Sequence, residues 1–300
     1  MSWKVFAELV ELKAKTASVF PFVLGMAYSW FHYQQVYVGN MLFFFVAMVL
    51  FNMAVDILDN YMDYHNATDV HEYKDETNII GREKLSLPLV RNLMIAFIVV
   101  SAVMGIYLAS QTSWVILWLG MISYSVGIFY SAGPKPLSSM PVGEVASGLA
   151  MGFVIPLICV YLNIYDLAPF TWQLMGQVLV MSLPAVFAIA NLMLANNTCD
   201  LEEDILNNRH TLVFYIGKKA AIRLFWFLGL SPFIVVTVAV IIGLVPWLVL
   251  GMWLIFPVIF KNISAFSNRQ IKLETFPLAI KNLALTVMLY AILFVVGALL

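Results

Sequence analysis

Residues 38–63 read VGNMLFFFVAMVLFNMAVDILDNYMD, and this stretch decides the fold. From Val38 to Val55 it is almost wholly apolar, long enough for a helix that crosses the hydrocarbon of a bilayer, which takes about 20 such residues. It then ends in carboxylates: Asp56, Asp59 and Asp63, spaced i, i+3, i+7, share one helical face, with Asn52 and Asn60 close to it. An apolar helix that ends in a polar cluster predicts a membrane span with its chemistry at one face.

The rest of the chain extends the pattern. Of 300 residues, 62% are hydrophobic and 11% are charged, whereas a water-facing domain carries about 25% charged residues. Nine spans are expected, near 16–33, 38–60, 89–109, 113–131, 144–163, 173–196, 220–242, 245–260 and 278–299, the eighth being short. The fold class is therefore an all-α polytopic membrane protein. Met1 to Lys15 mixes charges of both signs with no long apolar run, so no cleavable leader is expected. Cys159 and Cys199 form no disulfide framework or zinc-type spacing.

Charge placement sets the orientation. Lys4, Lys13 and Lys15 precede the first span. Lys74, Arg82, Lys84 and Arg91 follow the second, Lys135 the fourth, Arg209, Lys218, Lys219 and Arg223 the sixth, and Lys261, Arg269, Lys272 and Lys281 the eighth. These are all 16 Lys and Arg residues, and every one falls on the side of the N-terminus. By the positive-inside rule that side is cytoplasmic. Of the acidic residues, Asp166 alone falls opposite. The chain is read as a single integral-membrane domain over 1–300. A weaker pattern divides it into four-helix repeats, 1–142 and 143–262, with a final helix in 263–300.

A second cluster closes the sixth span: Asn196, Asn197, Cys199, Asp200, Glu203 and Asp204, with Asp200 and Asp204 one turn apart. Three terms oppose such clusters. A carboxylate in a span costs a few kcal/mol, like charges at i, i+4 repel, and a helix C-terminus is already negative. A bound cation relieves all three, and carboxylate and amide oxygens suit Mg²⁺ or Ca²⁺. Arg82, Lys84, Lys135 and Arg209 near these carboxylates point to a polyanion such as a diphosphate. The plainer alternative is interfacial carboxylates that reach water, beside cations that serve topology alone. The histidines, His32, His65, His71 and His210, show no metal-ligand spacing.

These residues resemble the UbiA superfamily of intramembrane prenyltransferases. Asp59-Asn60-Tyr61-Met62-Asp63 is similar to the family's first motif, N-D-x-x-D, with its first two residues exchanged. Within the family the likeness is greatest to its naphthoate-prenylating members. Lys13-Ala14-Lys15-Thr16 with Pro21 and Gly25 is similar to their R-P-x-T…P…G, and Asp63 with Asp69 to their D-x5-D. Tyr130 to Leu137 with Gly143-Glu144 is similar to Y-x-x-G-P-x-P-L…G-E. Asn196-Asn197-Thr198-Cys199-Asp200, then Asp204, Arg209 to Leu212 and Gly217, is similar to N-N-x-R-D…D…K-R-T-L…G, with Cys199 in the place of Arg.

The resemblance implies a nine-helix UbiA-like bundle with Mg²⁺ on Asp56, Asp59, Asp63, Asp200 and Asp204, aided by Asn60 and Asn196. It implies Arg82, Lys84 and Arg209 on the diphosphate of a polyprenyl diphosphate, with Asn197 among the substrate-binding residues. Tyr130 or Lys135 would position 1,4-dihydroxy-2-naphthoate, prenylated with loss of CO₂. The expected partners are these two substrates and the bilayer, and no nucleic acid. Two alternatives stay open: another acceptor (4-hydroxybenzoate or haem), or a divalent-cation or anion transporter.

Overall fold

The computed structural model describes residues 1–66 and 76–300, and every described regular element is helical. Asp69, His71 and Lys74 lie outside the described residues. In lipid an unpaired backbone group finds no water, so a crossing segment satisfies its own hydrogen bonds as a helix. Among the described residues eight segments are long and apolar enough to cross: Val38–His65, Leu87–Gln111, Trp114–Ser131, Gly143–Ile164, Trp172–Cys199, Leu212–Ile241, Trp247–Asn268 and Phe276–Leu299. The remaining expected span, 16–33, is also a helix. Tyr28, Ser29, Trp30, His32 and Tyr33 make it less apolar than the others.

The chain forms two compact units. The first holds Met1–Lys15 and Val38–Pro136; the second holds Thr16–Tyr37 and Leu137–Leu300. In chain order the helices are α1 (Trp3–Leu9), α2 (Thr16–Tyr33), α3 (Val38–Asn66), α4 (Ile79–Arg82), α5 (Leu87–Gln111), α6 (Trp114–Ser131) and α7 (Gly143–Leu149). They continue with α8 (Ile155–Ile164), α9 (Trp172–Cys199), α10 (Leu201–Leu206), α11 (Leu212–Ile241), α12 (Phe256–Asn268) and α13 (Phe276–Leu299).

In the first unit α3 lies against α5 and α6. Leu9, Val10, Ile57, Ile79, Ile80 and Val90 pack beneath the carboxylate-bearing end of α3, so α1 and α4 brace that end. On α5 and α6, Val99, Val103, Ile106, Trp114, Trp118 and Ile122 are exposed, as a lipid-facing surface requires.

In the second unit α9 is the central helix, packed by α11, α13 and α7, and α2 is sheathed by α8 and α13. That cover lets α2 tolerate polar residues: Ser18, Tyr28 and Ser29 are buried against protein rather than lipid. Helix starts follow local rules. Thr171 Oγ1 caps α9 by accepting from Leu174 N at 3.1 Å. Prolines sit in the first turns of α5, α8, α12 and α13, where a missing N–H costs little. The span expected to be short is lengthened by its geometry. Trp247–Ile255 is a 3₁₀ helix that runs into α12. At about 2.0 Å per residue a 3₁₀ segment reaches further than an α-helix at about 1.5 Å.

Two glycines carry the second unit's shape. Gly217 (φ +75°) bends α11 five residues in, a conformation that costs any other residue a Cβ clash. At Gly25 a Cβ would stand 2.6 Å from the Cβ of Cys159 and 2.9 Å from the carbonyl oxygen of Pro156, so α2 and α8 meet there backbone to backbone. Gly25→Ala is expected to destabilise the protein by about 1–3 kcal/mol through overpacking. Gly105→Ala, on α5 with open space around it, is expected to be neutral or to stabilise by up to about 1 kcal/mol. Thermal unfolding of the two variants in detergent checks the contrast.

Candidate functional site

The first carboxylate group lies on the last turns of α3 and has a neutralising partner that the sequence pattern does not reveal. Lys15 is buried, and its ammonium donates to Asn52 Oδ1 and to the Asp56 carboxylate. Burial pulls that ammonium down to about 8, with Glu11 opposing, so near pH 7 it still carries the charge that offsets Asp56. Asp56, expected among the metal ligands, is the partner of Lys15 in this structure. Asp59 Oδ1 accepts a 2.6 Å hydrogen bond from Ser131 Oγ at the end of α6. Asn60 turns its amide back onto the chain, donating to the Asp56 carbonyl at 3.0 Å and to the Leu9 carbonyl at 3.4 Å. Asp63 lies one turn further and is half-buried.

Arg82 donates to Glu8 Oε1 at 2.6 Å, so reaching a diphosphate means leaving that partner. Pairing with Glu8 lifts its pKa above the usual guanidinium value. Lys84 is exposed, as is Lys135 just beyond α6, while Tyr130 is half-buried near the end of α6.

The second group is built where α9 stops and α10 begins. Lys272, from the turn between α12 and α13, donates to Asn196 Oδ1 at 2.6 Å and to the Asp200 carboxylate. Asp204 is buried. Its Oδ1 lies 3.3 Å from Arg209 Nε, and its Oδ2 has no hydrogen-bond partner. Burial raises its carboxyl to about 6; Arg209 pulls the other way, and Asp200 and Glu203 add to the rise. Arg209 also donates to the Ser138 carbonyl at 3.4 Å, and His210 N donates to the Ser139 carbonyl at 3.1 Å. These bonds tie the segment after α10 to the start of the unit.

Asn197 faces inward. Its Nδ2 donates to Glu144 Oε1 at 2.8 Å; both residues are buried, and Glu144 Oε2 has no partner. Lys15, Ser131 and Lys272 were not among the expected site residues. Each comes from a distant segment, and no local spacing marks it. Glu144 was visible as part of a motif but without a role.

Among the described residues no three His, Cys, Asp or Glu side chains converge as a metal-holding group. The donors present still fit Mg²⁺: they are hard oxygens, and Asp204 Oδ2 is buried and unpartnered. That ion needs only one or two protein carboxylates because it keeps several waters.

An all-helical polytopic membrane protein with carboxylate clusters at the ends of two spans is the class this structure defines. Residues 18–271 match the UbiA prenyltransferase family, and the chain belongs to it. Over 250 residues it is 28% identical to 1,4-dihydroxy-2-naphthoate octaprenyltransferase of Bacillus subtilis (strain 168), covering 82% of this chain and 76% of that one. Its fold is that of a UbiA homologue from Aeropyrum pernix K1 solved in its apo form (TM-score 0.71, 16% identity, 95% of this chain and 97% of that one). It is also that of a UbiA homologue from Archaeoglobus fulgidus bound to GPP and Mg²⁺ (TM-score 0.64, 11% identity, 97% and 99%).

The Glu144–Asn197 bond is directly testable. Glu144→Gln keeps an acceptor for the Asn197 amide and is expected to melt within about 2 °C of the parent. Glu144→Ala leaves that amide buried and unpaired and is expected to cost about 1–3 kcal/mol. Differential scanning fluorimetry of the two variants separates them.

Proposed function

We propose that this protein transfers a polyprenyl group from a polyprenyl diphosphate to 1,4-dihydroxy-2-naphthoate, releasing CO₂ and diphosphate and giving a demethylmenaquinol for menaquinone synthesis. The observation that carries this reading is the identity with the Bacillus subtilis naphthoate octaprenyltransferase over four-fifths of the chain. The Tyr130-to-Glu144 block supports it. The family and the fold support prenyl transfer more broadly.

Asp59, Asp63, Asp200 and Asp204, with the amide oxygens of Asn60 and Asn196, would hold Mg²⁺; Asp56, one turn before Asp59, is charge-balanced by Lys15. Bound Mg²⁺ neutralises the charge that gathers on a departing diphosphate. Arg82, Lys84 and Arg209 add cationic donors for the same oxygens, Arg82 by exchange from Glu8 and Arg209 beside Asp204. Asn197, fixed by Glu144, sets the end of α9 against the substrate. Tyr130 and Lys135 orient the naphthoate so that its carboxyl-bearing carbon meets the allylic carbon. The allylic carbon–oxygen bond breaks and the new carbon–carbon bond forms. The carboxylate leaves as CO₂, and the electron pair it leaves behind restores the aromatic ring, so the reaction balances without an oxidant. The whole chain, 1–300, acts as one such domain. It lies in the cell membrane with its N-terminus and carboxylate clusters at the cytoplasmic face, as the one-sided Lys and Arg distribution supports.

Membranes carrying the protein, given a polyprenyl diphosphate, 1,4-dihydroxy-2-naphthoate and Mg²⁺, are expected to form prenylated naphthol. EDTA should abolish the product, and Asp63→Ala should lower the rate at least about 100-fold. Product from 4-hydroxybenzoate but not from the naphthoate, across several chain lengths, would move the reading to another acceptor. Metal flux into vesicles without any prenyl substrate would replace it with transport.

A further inference from the structure

Each unit contains the same small device. In the first, Asn52 and Asp56, one turn apart, offer an amide oxygen and a carboxylate oxygen to the ammonium of Lys15. In the second, Asn196 and Asp200, with the same spacing, offer the same pair to Lys272. An Asn–x–x–x–Asp pair on one helical face is thus a two-oxygen cradle for one cation, and in the second unit, where Asp200 caps α9, the negative end of the helix dipole favours it further.

The two cradles differ in how firmly the cation is held. The Lys15 side chain is 7% exposed and rooted at the entry to α2. The Lys272 side chain is 44% exposed. It projects from a turn whose backbone is fixed: Thr275 Oγ1 accepts from Ile271 N at 2.9 Å and donates to the Arg269 carbonyl at 2.8 Å. The anchor is rigid and the four-carbon stem above it reaches into solvent. The ammonium has a second resting place close by, since it lies 4.8 Å from the centre of the Phe276 ring. One turn past Asp200, Asp204 Oδ2 is buried and unpartnered, an oxygen that Lys272 leaves unserved.

The geometry points to Lys272 as a displaceable counter-ion. It fills the Asn196–Asp200 cradle, yields it to a divalent cation, and then donates to the diphosphate that the cation brings. This rests on the reading of Asp200 as an Mg²⁺ ligand. An ammonium and a divalent ion on the same carboxylate oxygen repel each other, so the two compete for the cradle. Once released, an ammonium on a long stem beside a diphosphate makes charge-assisted hydrogen bonds to it. Lys272 therefore opposes metal binding and favours diphosphate binding, whereas a purely structural lysine does neither. Lys15, buried and anchored, stays in place, and the Asn52–Asp56 cradle takes no metal.

The test is Mn²⁺ binding to the full chain in nanodiscs without prenyl substrate, read from the EPR signal of free Mn²⁺. Lys272→Met removes the competing charge at similar volume and is expected to bind Mn²⁺ about tenfold more tightly. The same variant is expected to show a KM for polyprenyl diphosphate raised about tenfold, and Lys272→Arg is expected to restore it. Mn²⁺ binding that is unchanged or weaker in a monodisperse Lys272→Met protein overturns the inference. Should that variant fail to stay monodisperse, Lys272→Gln is read against the same two outcomes. Asp200→Asn separates the two levels of the argument. If it leaves wild-type Mn²⁺ binding intact, the metal reading of Asp200 itself falls. If it weakens Mn²⁺ binding while Lys272→Met does not strengthen it, only the counter-ion role falls.

Discussion

Negative charge is concentrated where this fold can least tolerate it. Helices α3 and α9 run through apolar surroundings and carry carboxylates on their C-terminal halves: Asp56 lies inside α3, and Asp200 caps α9, where the helix's own carbonyls already point outward. An uncompensated carboxylate in such a place is strongly destabilising, and breaking a buried ion pair costs about 3–5 kcal/mol. Each unit therefore brings a cation from a distant segment to that spot. Lys15 arrives through the turn that precedes α2, and Lys272 through the turn that precedes α13. The connections at this end are placed by that electrostatic need as much as by helix packing.

The same balance gives each unit its chemical character. Several cations are already engaged: Lys15 with Asp56 and Arg82 with Glu8 in the first unit, Arg209 with Asp204 and Lys272 with Asp200 in the second. Under the proposed function, binding an anionic substrate with its metal would be an exchange of partners rather than the filling of a vacant charge. Exchange keeps each unit near neutrality throughout, which matters beside hydrocarbon, where a net charge is poorly screened. Lys272, Arg82 and Arg209 are partly exposed, whereas Lys15 is buried and holds the frame.

The spans were legible in the sequence because lipid imposes a length and a composition on every crossing helix. The ends of α5, α6, the Gly143–Ile164 span and α9 fall within a few residues of those expected. The segment 245–260 read as short because its apolar run stops before Lys261, whereas α12 continues to Asn268, and α11 begins earlier than expected because the bend at Gly217 hides its first turns. The carboxylates of α3 and α9 were visible through their i, i+3 and i+4 spacing. Their counter-ions were not. Lys15 and Asp56, like Lys272 and Asp200, are brought together by tertiary packing, and no periodicity in a single chain records such a pairing. Glu144 was conspicuous within a motif, but only its bond to Asn197 gives it a purpose.

The cover of α2 has a consequence for how the chain is made. Its sheath is α8 and α13, the second of which follows α2 by about 240 residues. As the polypeptide emerges, the first long helix carries Tyr28 and Ser29 into the membrane well before the helices that enclose them have been synthesised. Until then it must linger at the insertion machinery or in lipid with those groups unsheathed. The second unit closes only once α13 has been synthesised, so the emergence of that helix sets the earliest moment at which its core can form.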